Sequence, residues 1–256
     1  MASPDTIGKT FRVALALCLV CSVVVSIAAV VLRDAQQRNV EQDKKRNILQ
    51  AAGLYQEDVS VDEQFAGVTS RLVDLRTGVY SEDHDPQTFD QRKAAKDPAL
   101  SMALSATEDV AKISRREHYA VVYFVEDNGA LDKIILPVKG YALWSTLYGF
   151  LALESDGNTV AGLGFYEHKE TPGLGGEIDN PSWKAIWPGK QIYRDGEVAI
   201  DVLKGAVDAS REGAQYQVDG LSGATLTSRG VGNLVQFWMG EMGYGPFLAK
   251  LKAGEA

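Results

Sequence analysis

Cysteine is scarce in this sequence, which limits the chemistry that thiols can supply. The 256 residues contain two cysteines, Cys18 and Cys21, and both lie in one apolar run near the N-terminus. The rest of the chain therefore cannot form an internal disulfide or a thiolate metal site. Inside an apolar helix, the C-x-x-C spacing of the pair is better explained by small hydrophobic side chains facing lipid or a partner helix than by a redox couple.

Basic residues are also in the minority. Lys and Arg number 26 against 34 Asp and Glu, so the formal net charge is −8. A nucleic-acid-binding protein needs a basic face to meet the phosphate backbone, and this balance therefore predicts no nucleic-acid partner. Hydrophobic residues make up 45% of the chain and charged residues 23%, a composition that is typical of a folded globular protein and excludes the disordered and low-complexity classes.

Long apolar runs are missing with one exception, residues 11–32. This run carries a single charge, at Arg12, and a helix of its length rises about 30 Å, the thickness of the hydrocarbon core of a membrane. The alternative is a cleaved signal peptide, with Lys9 and Arg12 as its basic region and residues 26–28 (Ser-Ile-Ala) as its cleavage site. Because a signal peptide needs only about 7–15 apolar residues, the length favours a retained transmembrane helix.

The charges beside this run leave the orientation in the membrane open. Lys9 and Arg12 precede it, and a larger basic group follows it: Arg33, Arg38, Lys44, Lys45 and Arg46. Counted literally, the positive-inside rule places the large domain in the cytoplasm. The rule is weak for long translocated domains, so the charges alone do not decide the side.

The patterning divides the chain into five segments. We expect an N-terminal segment over 1–10, the transmembrane helix over 11–32, a charged stalk helix over 33–52, a mixed accessory region over 53–116 and the main domain over 117–256.

The accessory region offers little chemistry. A helix is expected to begin at Asp97-Pro98, where the aspartate would cap it and the proline would take the first helical position. His84 lies in the acidic turn over residues 81–86, for which an exposed loop is the simpler interpretation and a cation site the alternative.

Beyond this region the apolar runs become short and β-rich, with a long helical pattern at the end. Two hairpins and a further strand are predicted, over Tyr119–Val125, Leu131–Val138, Thr146–Glu154, Thr159–Tyr166 and Val198–Leu203. A C-terminal helix is predicted from Thr225 through Met242, ended by residues 243–246 (Gly-Tyr-Gly-Pro). The predicted fold class is therefore α+β, with one N-terminal transmembrane helix followed by a largely antiparallel sheet packed with helices.

A glycine-rich segment over residues 167–176 (Glu-His-Lys-Glu-Thr-Pro-Gly-Leu-Gly-Gly) is the first candidate for chemistry. Its glycines allow the backbone to approach a flat ligand, and Glu170 and Thr171 can hydrogen-bond a heteroaromatic edge. The spacing is not that of a phosphate-binding loop. A flexible connection after a strand is the simpler interpretation.

The second candidate, residues 219–228 (Asp-Gly-Leu-Ser-Gly-Ala-Thr-Leu-Thr-Ser), leads into the C-terminal helix. Free backbone N–H groups at the start of a helix stabilise a phosphate. A simpler interpretation makes Ser222 or Thr225 a helix cap. A nucleophilic Ser222 is a third, but the segment is not G-x-S-x-G, and neither His84 nor His168 can be placed beside it.

Residues 222–225 (Ser-Gly-Ala-Thr), with Asp219 three residues before the serine, resemble the flavinylation motif of FMN-binding domains. In that motif FMN is joined through its phosphate to a threonine hydroxyl, which here is Thr225. The N-terminal membrane helix, the stalk, the loop over residues 170–175 (Glu-Thr-Pro-Gly-Leu-Gly) and the chain length extend the likeness. Together they resemble the C subunits of sodium-translocating NADH:quinone reductases. An electron carrier like the related G subunits of Rnf complexes is the alternative.

The resemblance implies a one-electron carrier in the bacterial inner membrane, with its flavin domain on the periplasmic side. FMN, held by a phosphodiester bond to Thr225, would take electrons from an iron–sulfur centre of neighbouring membrane subunits and pass them to another flavin of the complex. A separate FMN transferase, using FAD and Mg²⁺ in the same compartment, would make the bond. The resemblance implies no metal site in this chain.

The resemblance also implies which residues lie at the cofactor. They are the motif and loop residues Asp219, Ser222, Gly223, Ala224, Leu226, Glu170, Thr171, Leu174 and Gly175, together with Trp144. Lys204, at the end of a predicted strand, is either a solvated lysine or a positive charge near the phosphate or near a reduced flavin. Trp183 and Trp187 are better explained as packing or partner contacts.

Two other function classes stay open from the residues alone. One is a membrane-tethered binding or scaffold domain. In that case Thr225 is only a helix cap, and the glycine-rich segment over residues 167–176, the glycine loop, is only a turn. The other is hydrolysis through Ser222. A covalently bound chromophore would separate the redox carrier from both.

Overall fold

The computed structural model describes residues 6–256. These residues form two compact units, with the boundary between Lys44 and Lys45. Of the expected N-terminal segment 1–10, residues 1–5 lie outside the described residues. The boundaries of the other expected segments stay predictions.

The first helix, α1, runs without interruption over Ile7–Ala51. It is long and apolar enough to cross a membrane, and the apolar side chains between Phe11 and Leu32 are exposed in the structure. The helix therefore continues through the expected stalk. Its last turn differs from a solvated stalk, because Ile48 and Leu49 are fully buried within the larger unit.

The larger unit contains five further helices and twelve strands in the described chain. The helices are α2 (Val61–Phe65), α3 (Gln91–Ala94), α4 (Pro181–Lys184), α5 (Thr225–Met239) and α6 (Gly245–Ala253), with 3₁₀ helices at Gly175–Asp179 and Ala214–Tyr216. The strands are β1 (Val68–Asp74), β2 (Val79–Tyr80), β3 (Ser101–Ala103), β4 (Arg115–Glu117), β5 (Tyr119–Asp127), β6 (Ala130–Tyr141), β7 (Thr146–Glu154), β8 (Val160–Glu167), β9 (Tyr193–Arg194), β10 (Glu197–Val198), β11 (Asp201–Val202) and β12 (Gln217–Val218).

Six strands form one antiparallel sheet in the order β2-β1-β5-β6-β7-β8. Both predicted hairpins are confirmed, as β5–β6 and β7–β8. The first turns at Asn128 and Gly129, which both have positive φ, as a tight hairpin turn requires. The α+β class with a largely antiparallel sheet is therefore confirmed.

Each face of the sheet is covered by apolar side chains from different elements. On one face, Leu234 and Trp238 of α5 join the larger core. On the other face, Ile48 and Ala51 from the last turn of α1 pack against Ile135 and other sheet residues. The helix α5 lies close to β6 and to the connection between β6 and β7, where Gly230 leaves no room for a side chain against Ala142. This packing brings the start of α5 to the β6–β7 connection.

The prediction of a helix at Asp97-Pro98 is wrong. The Asp97 side chain accepts a hydrogen bond from the Ala99 N–H, and its carbonyl accepts one from the Leu100 N–H. These bonds make a turn that leads into β3. The only helix in this neighbourhood of the described chain is α3, which Asp90 caps through the Lys93 N–H.

The predicted strand Val198–Leu203 is also wrong as a single element. The N–H groups of Ala199 and Ile200 both point to the Ile192 carbonyl, so the chain bends there. Two short strands result, β10 and β11, and β11 pairs in parallel with β12 outside the main sheet.

The C-terminal helix begins at Thr225 as predicted but ends at Met239, before the predicted Met242. The Gly240 N–H bonds to the carbonyls of Gln236 and Phe237, which closes the last turn. A second helix, α6, starts at Gly245 with Pro246 in its first turn, an arrangement that proline favours.

Candidate functional site

Thr225 is the first residue of α5, and the residue in the capping position is Ala224, which has no side chain able to cap. Within residues 6–256 the Thr225 hydroxyl makes no hydrogen bond, and the backbone N–H groups of Thr225, Leu226 and Thr227 have no acceptor. The interpretation of Thr225 or Ser222 as a helix cap is therefore wrong. The helix start instead presents free donors beside a free hydroxyl.

The four hydroxyls of this segment are in different environments. Thr227 and Ser228 are buried and hydrogen-bonded. The Ser228 hydroxyl accepts from the Leu221 N–H at 2.8 Å and donates to the Ala224 carbonyl at 3.2 Å, which fixes the loop before the helix. Ser222 is exposed and Thr225 half-buried. Of the four, only these two hydroxyls make no hydrogen bond within residues 6–256.

Glu170 is buried beneath the start of α5. Its Oε1 accepts hydrogen bonds from the backbone N–H of Trp144 at 2.9 Å and of Ser145 at 3.3 Å. Its Oε2 accepts the Thr227 hydroxyl at 2.7 Å. One carboxylate therefore joins the β6–β7 connection, the glycine loop and α5.

Two glycines allow the glycine loop to pack against α5 and the loop before it. A Cβ on Gly175 would lie 2.5 Å from the Thr227 Oγ1 and 2.8 Å from the Glu170 Oε2. Gly223 has a φ of 73° and lies against the Leu174 side chain. Close approach is the reason that glycine is needed at the first position, and the left-handed backbone is the reason at the second.

Exposed apolar side chains come from the three segments that Glu170 joins. Trp144 is 64% exposed, Leu226 is 52% exposed and Leu174 is 46% exposed. Leu143, beside Trp144, is also exposed. Single exposed apolar residues are ordinary, but several on linked loops are typical of a ligand or partner surface.

Asp219 and Lys204 lie on two adjoining loops before the helix. The Asp219 Oδ1 accepts the Val207 N–H at 2.7 Å, and the Gly220 N–H donates to the Gly205 carbonyl at 3.0 Å. Asp219 thus holds the 204–207 loop in place. Lys204 is exposed, and its ammonium has no partner in the described part of the chain.

Thr171 takes part in the hydrogen bonds of the glycine loop through its backbone carbonyl and not through its side chain. Its carbonyl accepts the N–H groups of Leu174 at 3.1 Å and Gly176 at 2.9 Å, which closes the glycine loop. The Thr171 hydroxyl is exposed.

An ion pair lies at the entry to the glycine loop. Arg92 donates to both carboxylate oxygens of Glu167, at 2.6 and 3.0 Å, and its guanidinium lies 3.9 Å from the ring centre of Tyr148. The hydrogen bonds from Arg92 lower the pKa of Glu167. Burial raises the pKa of the neighbouring Tyr166 to about 12, so the phenol stays neutral at physiological pH.

The remaining sequence candidates do not form a hydrolytic or metal site. The His168 Nδ1 accepts the Glu170 N–H and its Nε2 lies 2.7 Å from the Asp179 Oδ2, so neither nitrogen serves Ser222. His84 stacks on Phe89, and residues 6–256 contain no group of three potential metal ligands. Trp183 and Trp187 are buried, which confirms packing.

Comparison with known proteins shows the family to which this chain is similar. The FMN-binding domain family matches residues 142–240. The C subunit of the Na(+)-translocating NADH-quinone reductase of Pseudomonas aeruginosa is 55% identical over 261 residues, covering all of both chains. The corresponding protein of Vibrio vulnificus is 51% identical over 256 residues, covering 99% of each chain.

The chain belongs to the family of the C subunits of Na⁺-translocating NADH-quinone reductases. The crystal structure of Shewanella oneidensis NqrC matches with a TM-score of 0.76 and 38% identity, covering 84% of this chain and 99% of that one. The crystal structure of the C subunit from Parabacteroides distasonis matches with a TM-score of 0.66 and 30% identity, covering 85% of this chain and 96% of that one. The resemblance drawn from the sequence is thereby confirmed.

Sequence reasoning missed two residues of this NqrC-family site. Thr227 and Ser228 lie in the segment over residues 219–228, but no role followed from their positions. Their hydroxyls hold Glu170 and the loop at residues 221–224. A usable signal was present, since four side-chain hydroxyls lie within seven residues.

Proposed function

We propose that this chain is the membrane-anchored electron-carrier subunit of a sodium-pumping NADH:quinone reductase, with FMN attached through its phosphate to Thr225. The observation that carries the proposal is the free Thr225 hydroxyl beside unpaired N–H groups at the start of α5. Family membership and the matched FMN-binding domain support it.

The residues at the start of α5 fit a phosphodiester. Its oxygens would accept hydrogen bonds from the N–H groups of Leu226 and Thr227, and the helix dipole would stabilise its single negative charge. Lys204, which is exposed on the adjoining loop, would add a positive charge. The surrounding backbone is preset for this role by the two hydrogen bonds of Ser228.

The attachment reaction needs a donor and a leaving group. The Thr225 oxygen would attack the flavin-side phosphorus of FAD, so that one Thr–O–P bond forms and the P–O–P bond breaks. AMP leaves, and the hydroxyl proton passes to a base of the separate, Mg²⁺-dependent FMN transferase. Thr225 supplies only the oxygen, which is why its side chain must be free of other partners.

The flavin ring has an apolar surface to rest on. Trp144, Leu174 and Leu226 expose their side chains on segments that Glu170 ties together. When bound, FMN supplies one-electron transfer. These side chains would hold the ring at the protein surface, where a covalent link would retain a cofactor that shallow contacts alone would release.

The partners follow from the electron-carrier role. We propose that electrons arrive from an iron–sulfur centre of neighbouring membrane subunits and leave for another flavin of the complex, while α1 anchors the chain in the inner membrane. The flavin domain is proposed to lie in the periplasm. That side requires the large domain to be translocated against the flanking charges, which long domains do.

Mass mapping tests the attachment. The full chain is co-expressed with an FMN transferase and digested, and the modified peptide is identified by mass and by flavin fluorescence after denaturation. We expect one FMN less one water on the peptide that contains Thr225, retained in Ser222→Ala and lost in Thr225→Ala. Because the Thr225 side chain makes no hydrogen bond, Thr225→Ala should fold normally, with a stability change within about 0.5 kcal/mol.

Two results would contradict the proposal. One is an unmodified chain beside a control substrate that the same transferase labels. The other is flavin that stays on Thr225→Ala after denaturation. The first would favour the tethered binding domain, since that function needs no chromophore.

A further inference from the structure

The solvent-facing side of α5 carries one charge. Leu226, Arg229 and Gln236 are its exposed residues, spaced three and seven positions apart as one helix face requires. Arg229 is the only charged residue of the fifteen in α5. Its guanidinium forms no ion pair and no hydrogen bond with any part of the chain from residue 6 onward.

Arg229 lies about one helical turn after Thr225 in α5. The two residues are four apart, so their Cβ atoms lie about 5–6 Å apart on neighbouring turns of the same face. Long side chains on a helix lean toward its N-terminus, over the preceding turn. A side chain with this lean would bring the Arg229 guanidinium over the turn that contains Thr225.

The segment around Arg229 contains no carboxylate that could pair with its guanidinium. Residues 220–240 contain no Asp or Glu. The nearest acid before them, Asp219, already accepts the Val207 N–H. An anion placed on Thr225 would thus be the first negative charge within reach of Arg229 along α5.

We propose that Arg229 is a positioning residue that pairs with the phosphodiester on Thr225. This inference rests on the proposed attachment of FMN. The free backbone N–H groups at the start of α5 would donate hydrogen bonds to the phosphate, and Arg229 would pair with its charge. A guanidinium suits this role because its planar fork matches two phosphate oxygens. This pairing would restrain the covalent link between the protein and the flavin ring.

Arginine footprinting on the wild-type chain is the first test. Flavinylated and unmodified full-length protein are treated with phenylglyoxal, and the modified peptides are quantified by mass. We expect Arg229 to react several-fold more slowly when Thr225 carries FMN, with Arg211, an exposed arginine on another loop, reacting equally in both. Equal reactivity of Arg229 in the two forms would overturn the proposal.

A phosphorus measurement separates pairing from simple shielding by the flavin. The ³¹P resonance of the flavinylated chain is compared among wild type, Arg229→Gln, Arg229→Lys and the control Lys252→Gln, which removes a positive charge from α6. We expect a displaced resonance in Arg229→Gln, a smaller displacement in Arg229→Lys and none in Lys252→Gln. An unchanged resonance in Arg229→Gln would overturn the pairing even if footprinting shows protection.

The two proposals fail in different ways. If FMN is not joined to Thr225, no protein-bound phosphodiester resonance appears in any variant. If FMN is joined to Thr225 and only the role of Arg229 is wrong, the wild-type resonance is present and Arg229→Gln leaves it in place. Should Arg229→Gln accept no flavin, Arg229→Lys is compared with the wild type instead, and an unchanged ³¹P resonance there overturns the pairing.

Discussion

The Thr227 hydroxyl donates a 2.7 Å hydrogen bond to Oε2 of Glu170, a residue 57 positions earlier in the chain. The same carboxylate accepts the backbone N–H of Trp144 through its other oxygen. Both Glu170 and Thr227 are buried. A buried carboxylate is stable only when its oxygens are satisfied, so this pair holds the loops and the helix start in one arrangement.

Removing the Thr227 hydroxyl should destabilise the protein and loosen the site. Thr227→Val keeps the shape of the side chain but leaves the Glu170 Oε2 without its partner, and the expected loss is about 1–3 kcal/mol of unfolding free energy. Thr227→Ser, which restores a hydroxyl, should recover most of it. Urea unfolding measures the difference. Equal stability of Thr227→Val and wild type would show that the buried hydrogen bond contributes nothing.

A side chain at position 175 should disturb the hydrogen bond between Glu170 and Thr227. The added methyl group of Gly175→Ala would lie 2.5 Å from the Thr227 Oγ1, so the loop must shift, at an expected cost of about 1–3 kcal/mol. Gly205→Ala is the matched control, because within residues 6–256 no atom beyond its chain neighbours lies within 4 Å of the position that its Cβ would take. Thermal unfolding of both variants tests this, and similar melting temperatures would contradict it.

Acid should weaken the larger unit through Asp74. Burial alone would raise the pKa of Asp74, but hydrogen bonds and the charge from Arg76 outweigh it and lower the pKa below the ordinary value of 3.8. A lowered folded-state pKa contributes stability that is complete above the unfolded value and is lost as pH falls through the folded value. The unfolding free energy should therefore fall as pH decreases below about 4.

The Asp74→Asn variant tests this assignment. It should be less stable than wild type near neutral pH, by about 1–3 kcal/mol, because it loses the charged bonds to Arg76. Its unfolding free energy should also fall less steeply between about pH 5 and about pH 3. Asp58→Asn, at an exposed position, is the control. Parallel acid profiles for Asp74→Asn and wild type would refute the role of Asp74.

The last turn of α1 should matter for the stability of the larger unit. Ile48 is fully buried and Val40 is 69% exposed on the same helix. We expect Ile48→Ala to cost about 2–5 kcal/mol, because it leaves a cavity against the sheet. Val40→Ala should cost little. Unfolding of the full chain in detergent compares them, and a tolerated Ile48→Ala would mean that this turn is not part of the core.

Single cysteines test the proposed side of the membrane. Both native cysteines lie in the apolar part of α1, so a membrane-impermeant maleimide should not label the wild type. In cells with a permeabilised outer membrane and an intact inner membrane, Ala209→Cys, in an exposed turn, should be labelled, and Thr6→Cys should not. Labelling of Thr6→Cys instead would place the flavin domain in the cytoplasm.

Local patterns predicted much of this fold. The Asn128-Gly129 turn and the β-rich runs on both sides identify the first hairpin, because turn chemistry and alternation act within a few residues. The start of α5 at Thr225 was also predictable, since small residues precede a helical apolar pattern. These features depend on neighbours in sequence, which a single sequence contains.

Other features depend on contacts that no local pattern encodes. Asp97 has the residue types of a helix start, yet its side chain closes a turn whose next residues pair as β3. The Ile192 carbonyl, distant in sequence, breaks the predicted strand at Ala199. The Glu170–Thr227 bond likewise joins two segments that only the folded sheet brings together. At the candidate site, the position of Thr225 at the helix start was predictable, and the buried Glu170–Thr227 pair was not.

The uncapped start of α5 has a consequence for maturation. A helix without a cap is less stable by about 1 kcal/mol than a capped one, and a phosphate on Thr225 would supply the missing acceptor. Flavin attachment would then complete the fold as well as add a redox centre. Apoprotein and mature protein would differ in local opening at residues 221–228, so that amide exchange or proteolysis there would report how far a population has matured.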